Sequence, residues 1–292
     1  MIPVGQFRIT RIEEILLAEP SSLFAEWRPE IAAEHRDWLT RSFYDPDTDC
    51  FVTSIHSWLL QTPRHTILID TCGGNARLRP ASPRFDRLDQ PYLQRLAAAG
   101  VQPDDVDIVI NTHLHIDHVG WNTRRDGDAW VPTFRNATYF LSRIERHLRD
   151  PREGAAHRPP ATHLPFLDSV QPILDAGKAV LLAGDEKLAE GIDLMRVPGH
   201  APGQFAVRVR SDGNEALFIA DVMHQPLQVY FPTWNSKYCE DPDLARRTRI
   251  EVLEHCAEHR SLILPGHFGA PHCGRVERRG DRFTFVLSGA MP

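Results

Sequence analysis

Three histidines and one aspartate fall within six consecutive positions, His113-Leu114-His115-Ile116-Asp117-His118. The run directly follows Val106-Asp107-Ile108-Val109-Ile110-Asn111, a β-branched stretch that reads as a buried strand. On a loop leaving a strand, side chains two apart can turn the same way. His113 and His115 can therefore share one cation, while Asp117 and His118 face a neighbouring point. Imidazole nitrogen and carboxylate oxygen are the donors that a borderline-soft dication such as zinc takes at about 2.0–2.2 Å. A chain carrying this loop must supply further donors from elsewhere and a rigid frame to aim them.

The rest of the composition narrows the classes. With 292 residues, 42% hydrophobic and 25% charged, the chain can bury a substantial core. The net charge of −6 offers no basic field to recruit nucleic acid or an anionic membrane. Met1 to Leu17 interrupts its apolar pattern with Arg8, Arg11, Glu13 and Glu14, unlike a signal peptide or an anchor. No stretch reaches the roughly 18 apolar residues of a membrane span. Five scattered cysteines without a C-x-x-C pair suit free thiols in a reducing cytoplasm.

Along the chain, Gln6 to Leu16 reads as an edge strand, and Pro20 to Thr40 as a loop with one helix, rich in aromatics that look exposed. Cys50–Leu60 and His65–Asp70 form a hairpin across Gln61-Thr62-Pro63-Arg64. Asp89–Ala99 is a helix stopped at Gly100. Trp121–Pro132 reads as a polar loop, Thr138–Leu141 as a strand and Ser142–Arg149 as a helix. Asp150–Pro165 lacks periodicity and is a surface excursion, followed by a helix at Phe166–Ala176 and a strand at Ala179–Leu182.

Three later strands then end alike. Ile192–Val197 runs into Pro198-Gly199-His200, Ala216–Ala220 into Asp221, and Ser261–Leu264 into Pro265-Gly266-His267, with a helix at Asp241–Arg260 between the last two. Singly, a strand-end histidine or aspartate is more often structural than a ligand. Together with the loop they make five histidines and two aspartates at strand ends, a set that suits two metals. His113, His115 and His200 are assigned to the first, Asp117, His118 and His267 to the second, and Asp221 as a bridge. Two cations about 3.5–4 Å apart can hold a bridging hydroxide near neutral pH. The simplest architecture is one α+β domain spanning residues 1–292, two mixed sheets with helices outside and the ligands along one edge.

The order His113-x-His115-x-Asp117-His118, then His200, Asp221 and His267, resembles the metallo-β-lactamase superfamily, and strand-end Asp70 matches that superfamily's first motif. The resemblance implies a four-layer αβ/βα sandwich with a dinuclear site, and Asp70 as an acceptor that orients a histidine ligand. Several branches fit less well. Flavodiiron oxidoreductases place Glu at the position of His115 and carry a flavodoxin domain. Hydroxyacylglutathione hydrolases add a C-terminal helical domain, whereas 25 residues follow His267. The β-CASP nucleases insert a domain, and secreted zinc β-lactamases lack the bridging aspartate. The small-molecule branch remains, comprising N-acyl homoserine lactonases, related lactone and ester hydrolases, and methyl parathion hydrolase-like enzymes.

In the lactonases a tyrosine stands three residues after the bridging aspartate; here the residue is His224, closer to the organophosphate and arylester relatives. The expected activity is hydrolysis of a small ester or lactone by a metal-bridging hydroxide, with phosphotriester or β-lactam hydrolysis as the nearest alternative and di-iron redox chemistry as the more distant one. Asp117 relays a proton to the leaving group, and His224 steadies the oxyanion. Trp121, Phe231, Trp234 and Phe268 are candidates to line an apolar pocket. Two divalent ions, expected to be zinc, are the cofactors, a small molecule is the partner, and the aromatic N-terminal third makes a homodimer plausible.

Overall fold

The computed structural model describes residues 1–287. The chain forms two compact units, each built from two stretches: Met1–Ile15 with Ile55–Glu186, and Leu16–Ser54 with the chain from Lys187 onward. In chain order the strands of the first sheet are β1 (Ile2–Val4), β2 (Phe7–Pro20), β3 (Tyr44–Asp45), β4 (Cys50–Gln61), β5 (Thr66–Ile69) and β6 (Ile108–Ile110). A small hairpin, β7 (Thr123–Asp126) and β8 (Ala129–Pro132), precedes β9 (Thr138–Ser142) and β10 (Ala179–Leu182). The sheet order is β1-β2-β4-β5-β6-β9-β10, with β3 paired on β4.

At the centre of the first unit, β5, β6, β9 and β10 run parallel, with Ile67 opposite Ile108 and Ile108 opposite Thr138. Their β-branched residues explain the arrangement, because a parallel strand covered on both faces reads as a continuous apolar run. Ile67, Leu68, Val109, Ile110, Tyr139 and Leu141 are buried. Parallel pairing places the C-terminal ends of β5 and β6 side by side, so Asp70 and the histidine loop emerge together. The helix Arg143–Arg149 is capped by the Ser142 hydroxyl, which accepts from the Glu145 amide at 3.3 Å.

The second unit carries a sheet ordered β11 (Lys187–Ala189), β12 (Ile192–Arg196), β13 (Phe205–Ser211), β14 (Asn214–Ala220), β15 (Leu262–Pro265), β16 (Gly274–Arg279) and β17 (Arg282–Leu287). Among the described residues of this sheet, only β14 and β15 pair in parallel, and the helix Pro242–His259 makes the crossover. Asp241 caps that helix by accepting from the Leu244 amide at 3.0 Å, and Pro242 opens it. Leu217, Ile219, Val252, Leu253, Ile263, Phe268 and Phe285 form its core. The aromatics of the N-terminal third are packed rather than open: Phe24, Phe43, Tyr44 and Phe51 join Trp234 in a second cluster, and Trp38 stacks on Tyr230 at 4.2 Å.

Several expectations need correction. The strand beginning near Gln6 is interior, because Ile2–Val4 folds back through Gly5, at φ 56°, and pairs along its outer side. Trp121–Pro132 is not a plain loop: β7 and β8 pair across Asp126-Gly127-Asp128-Ala129, where Gly127 takes φ 57°. The Asp-Gly signal was there to read. Phe166–Ala176 divides into two short helices, Leu164–Ser169 and Gln171–Asp175, around Val170. Among the described residues, no helix is long and apolar enough to cross a membrane.

Candidate metal centre

The first unit brings His113, His115, Asp117 and His118 together just beyond β6. Nε2 of His113 lies 3.0 Å from Nδ1 of His115, and the ring of His118 lies 4.0 Å from that of His113. His113 and His118 are almost wholly buried. Nδ1 of His118 is 2.9 Å from Oδ2 of Asp70, and its Nε2 is 3.8 Å from Oδ1 of Asp117. Asp70 itself is fixed, accepting from the Thr112 amide and hydroxyl, both at 2.8 Å. Its backbone sits at φ 58°, a left-handed conformation that costs an L residue energy and persists only where surroundings enforce it.

The second unit gathers His200, Asp221, His224 and His267 at the ends of its strands. Oδ2 of Asp221 lies 3.3 Å from Nε2 of His200, 3.3 Å from Nε2 of His224 and 3.1 Å from Nε2 of His267. Three imidazole nitrogens thus converge on one buried carboxylate oxygen. The strand bulge between Phe218 and Ala220, with Ala220 at φ 48°, turns Asp221 out of the ladder. Gly199 allows the chain to pass the helix Pro242–His259, since a Cβ there would stand 2.4 Å from the Ala245 backbone. Burial pushes the His224 pKa below its ordinary value, against the opposing pull of Asp221. Its Nδ1 is buried without a hydrogen-bond partner.

Imidazole and carboxylate donors in these proportions fit divalent cations of borderline softness, zinc foremost. The facing nitrogens of His113 and His115 have close to the separation of two ligands on one tetrahedral zinc, about 3.3 Å. Residues 51–254 match the family model described as the Metallo-beta-lactamase superfamily, more than half of the chain. The chain belongs to the metallo-β-lactamase superfamily. An N-acyl homoserine lactonase of Bacillus thuringiensis is 26% identical over 228 residues, covering 72% of this chain and 79% of that protein. AiiB, an N-acyl homoserine lactonase of Agrobacterium fabrum, is 25% identical over 246 residues, covering 73% and 79%. The crystal structure of AbOPH, a hydrolase of the β-lactamase superfamily, superposes with a TM-score of 0.81 at 23% identity, covering 100% of this chain and 97% of that one. AidC, a dizinc quorum-quenching lactonase in complex with a product, follows at a TM-score of 0.76 and 20% identity, covering 100% and 97%. The metallo-β-lactamase fold, mixed sheets flanked by helices, is thereby shown, and the protein is a hydrolase of this superfamily.

The aromatic candidates are placed differently from the candidate donors. Trp121 turns inward, stacked on Tyr92 at 5.1 Å with its indole N–H on Glu14, and presents no open face. Phe268 is fully buried against Phe285. Both correct the expectation of pocket-lining rings: each follows a histidine motif closely, and the motif loops fold straight back into the core. Phe231 and Trp234 stack on one another at 4.4 Å, and Trp234 borders an open cavity of about 620 Å³ with Glu26, Arg28, Ile31 and Glu34. Sequence reasoning missed Arg149, whose Nη2 lies 3.0 Å from Nε2 of His115 while its Nε holds buried Glu145 at 3.1 Å. Spacing on the helix alone pairs Glu145 with Arg149; nothing in the sequence pairs Arg149 with His115.

Proposed function

We propose that this chain is a dinuclear metal-dependent hydrolase of small lactones or esters. In this reading His113, His115 and His200 hold one divalent ion, Asp117, His118 and His267 hold the other, and Asp221 serves both. Family membership supports the hydrolytic class, and the lactonase relatives support the lactone bond as substrate.

The observation that carries the reading is the setting of His267. Its Nδ1 lies 3.1 Å from the Ser54 carbonyl oxygen, which only accepts, so that nitrogen bears the proton. In the neutral ring Nε2 then offers a lone pair, yet it faces a carboxylate oxygen of Asp221 at 3.1 Å. A cation held between these two acceptors accounts for that separation. A backbone carbonyl or carboxylate on the far ring nitrogen is the usual support of a metal-binding histidine, and His118 on Asp70 repeats it.

Two divalent cations bound here would supply a water of lowered pKa and a Lewis acid for the substrate oxygen. The chain's own groups would do the rest. Asp117, whose carboxylate is partly exposed, takes up a proton and returns it to the departing alkoxide. His224, held neutral at pH 7 by burial, donates to the oxyanion as charge develops there.

One observation favours a second reading, hydrolysis of aryl esters or phosphotriesters: the position three residues after Asp221 is a histidine rather than the tyrosine of the lactonases. A proton-release assay on the zinc-loaded protein decides between them by comparing a long-chain N-acyl homoserine lactone, an aryl ester and an aryl phosphotriester. We expect the lactone to lead in kcat/KM by at least tenfold. A lead for either aryl substrate would replace the lactone assignment with the second reading.

A further inference from the structure

Outside the donor set, the first unit buries the carboxylate of Glu14, on β2, beside the metal-centre loops. Its side chain is completely buried, and its carboxylate accepts three hydrogen bonds. Oε2 takes the Gly73 amide at 2.8 Å, while Oε1 takes the Gly74 amide at 2.8 Å and the Trp121 indole N–H at 2.7 Å. Successive backbone amides closing on one anion form a nest, here filled by the protein's own carboxylate.

The two segments so joined are those that present Asp70 and His118. Gly73 and Gly74 lie at the bend three and four residues after Asp70, and Trp121 lies in the short 3₁₀ turn Gly120–Asn122 that follows His118. Between them the backbones are zipped: Thr71 N to His118 O at 2.8 Å, Gly120 N to Cys72 O at 2.7 Å, and Trp121 N to Thr71 O at 2.7 Å. The approach is so close that a Cβ on Gly120 would stand 2.0 Å from the Gly73 carbonyl. The first of these turns is strained, with Asp70 at φ 58° and Cys72 at φ 52°. Something must hold it in that shape. Buried Arg77 braces the second turn through the Gly120 carbonyl and through Thr123 O at 2.7 Å. Arg95 fixes the Glu14 backbone, donating to its carbonyl at 2.6 Å.

We infer that Glu14 is a positioning residue of the metal centre, the anchor that keeps the Asp70 turn and the His118 turn in register so that the Asp70–His118 hydrogen bond sets the ring. The inference rests on the proposed metal-dependent reading, and it concerns metal affinity rather than fold stability alone. Burial raises the Glu14 pKa, opposed by its three N–H donors and Arg77. That is an environment costly to maintain for packing alone.

The test is zinc affinity by chelator competition, measured beside the thermal midpoint of the metal-free protein. Glu14→Gln keeps the shape but sets an amide NH₂ against an N–H donor. Trp121→Phe removes the indole donor and keeps an aromatic ring beside Tyr92. Glu215→Gln, in the other unit, is the control for simple destabilisation. We expect roughly 10- to 100-fold weaker zinc binding in Glu14→Gln, several-fold weaker binding in Trp121→Phe, and unchanged affinity in Glu215→Gln despite a lower midpoint. If Glu14→Gln does not fold, Trp121→Phe decides. Wild-type zinc affinity in the folded variants would overturn the inference and leave the proposed function standing. A wild-type protein that binds no zinc would overturn both.

Discussion

Nδ1 of His118 lies 2.9 Å from Oδ2 of Asp70, a hydrogen bond that joins the residue following β5 to the loop beyond its parallel neighbour β6. It fixes the tautomer of His118 and leaves Nε2 turned toward Asp117. Asp70→Asn keeps the volume and the backbone but offers a weaker acceptor that can flip. We expect zinc binding to weaken roughly 10- to 100-fold. The Nδ1 proton of His118, protected in the wild type, should exchange rapidly in the variant by NMR of the imidazole nitrogens. Retained protection would assign the ring's orientation to packing instead.

His224 yields a pH prediction. Its pKa is lowered in the folded chain, first by burial. Below the ordinary value near 6.5 the unfolded chain therefore binds a proton that the native chain does not. Its contribution to stability is present above pH 6.5 and is lost as pH falls. The metal-free protein should lose stability below that pH more steeply than His224→Gln, measured by urea unfolding at pH 7.5 and pH 5.5. In the loaded enzyme, His224→Ala should lower kcat by roughly 100-fold with little change in KM, the signature of a lost oxyanion donor.

Glu145 and Arg149 form a pair one helical turn apart, 3.1 Å between Oε2 and Nε, with the carboxylate fully buried. Arg149→Met removes a charged partner from that buried carboxylate and should cost about 3 kcal/mol in denaturant unfolding. The double variant Glu145→Gln with Arg149→Met should recover a large part of the loss. Additive losses would show that the pair is not the source of the cost.

Glu215 binds Nε2 of His255 at 2.9 Å and also the Ser261 hydroxyl, tying β14 to the crossover helix and to the start of β15. These partners outweigh burial and hold its carboxyl below the ordinary 4.5. The stability they contribute is complete above pH 4.5 and is lost as pH falls through the lowered value. Glu215→Gln should cost about 1 kcal/mol at pH 7. The difference from wild type should shrink at pH 3.

The candidate donor residues stand out in the sequence because each breaks a strong local pattern: an apolar strand stops, and a histidine or aspartate follows it. His113, His200, Asp221 and His267 all have that signature. The buried strand at Ile108-Val109-Ile110 was legible from its β-branched run. What escaped was decided by partners distant in sequence. Glu14 alternates like any half-exposed strand residue, and only the nest at Gly73 and Gly74 makes it internal. Trp121 looked like a pocket wall beside His118, but Glu14 and Tyr92 claim it. β13, β16 and β17 mix arginines into their apolar pattern, so their pairing is set by neighbours in the sheet rather than by their own periodicity.

The dinuclear reading is tested most directly by titrating zinc into chelator-stripped protein while following proton release from an N-acyl homoserine lactone. The account predicts negligible hydrolysis without metal and activity that rises to a plateau at two equivalents of zinc per chain, with Asp221→Ala inactive throughout. Full activity in the stripped protein, or a plateau at one equivalent that Asp221→Ala shares, would contradict it.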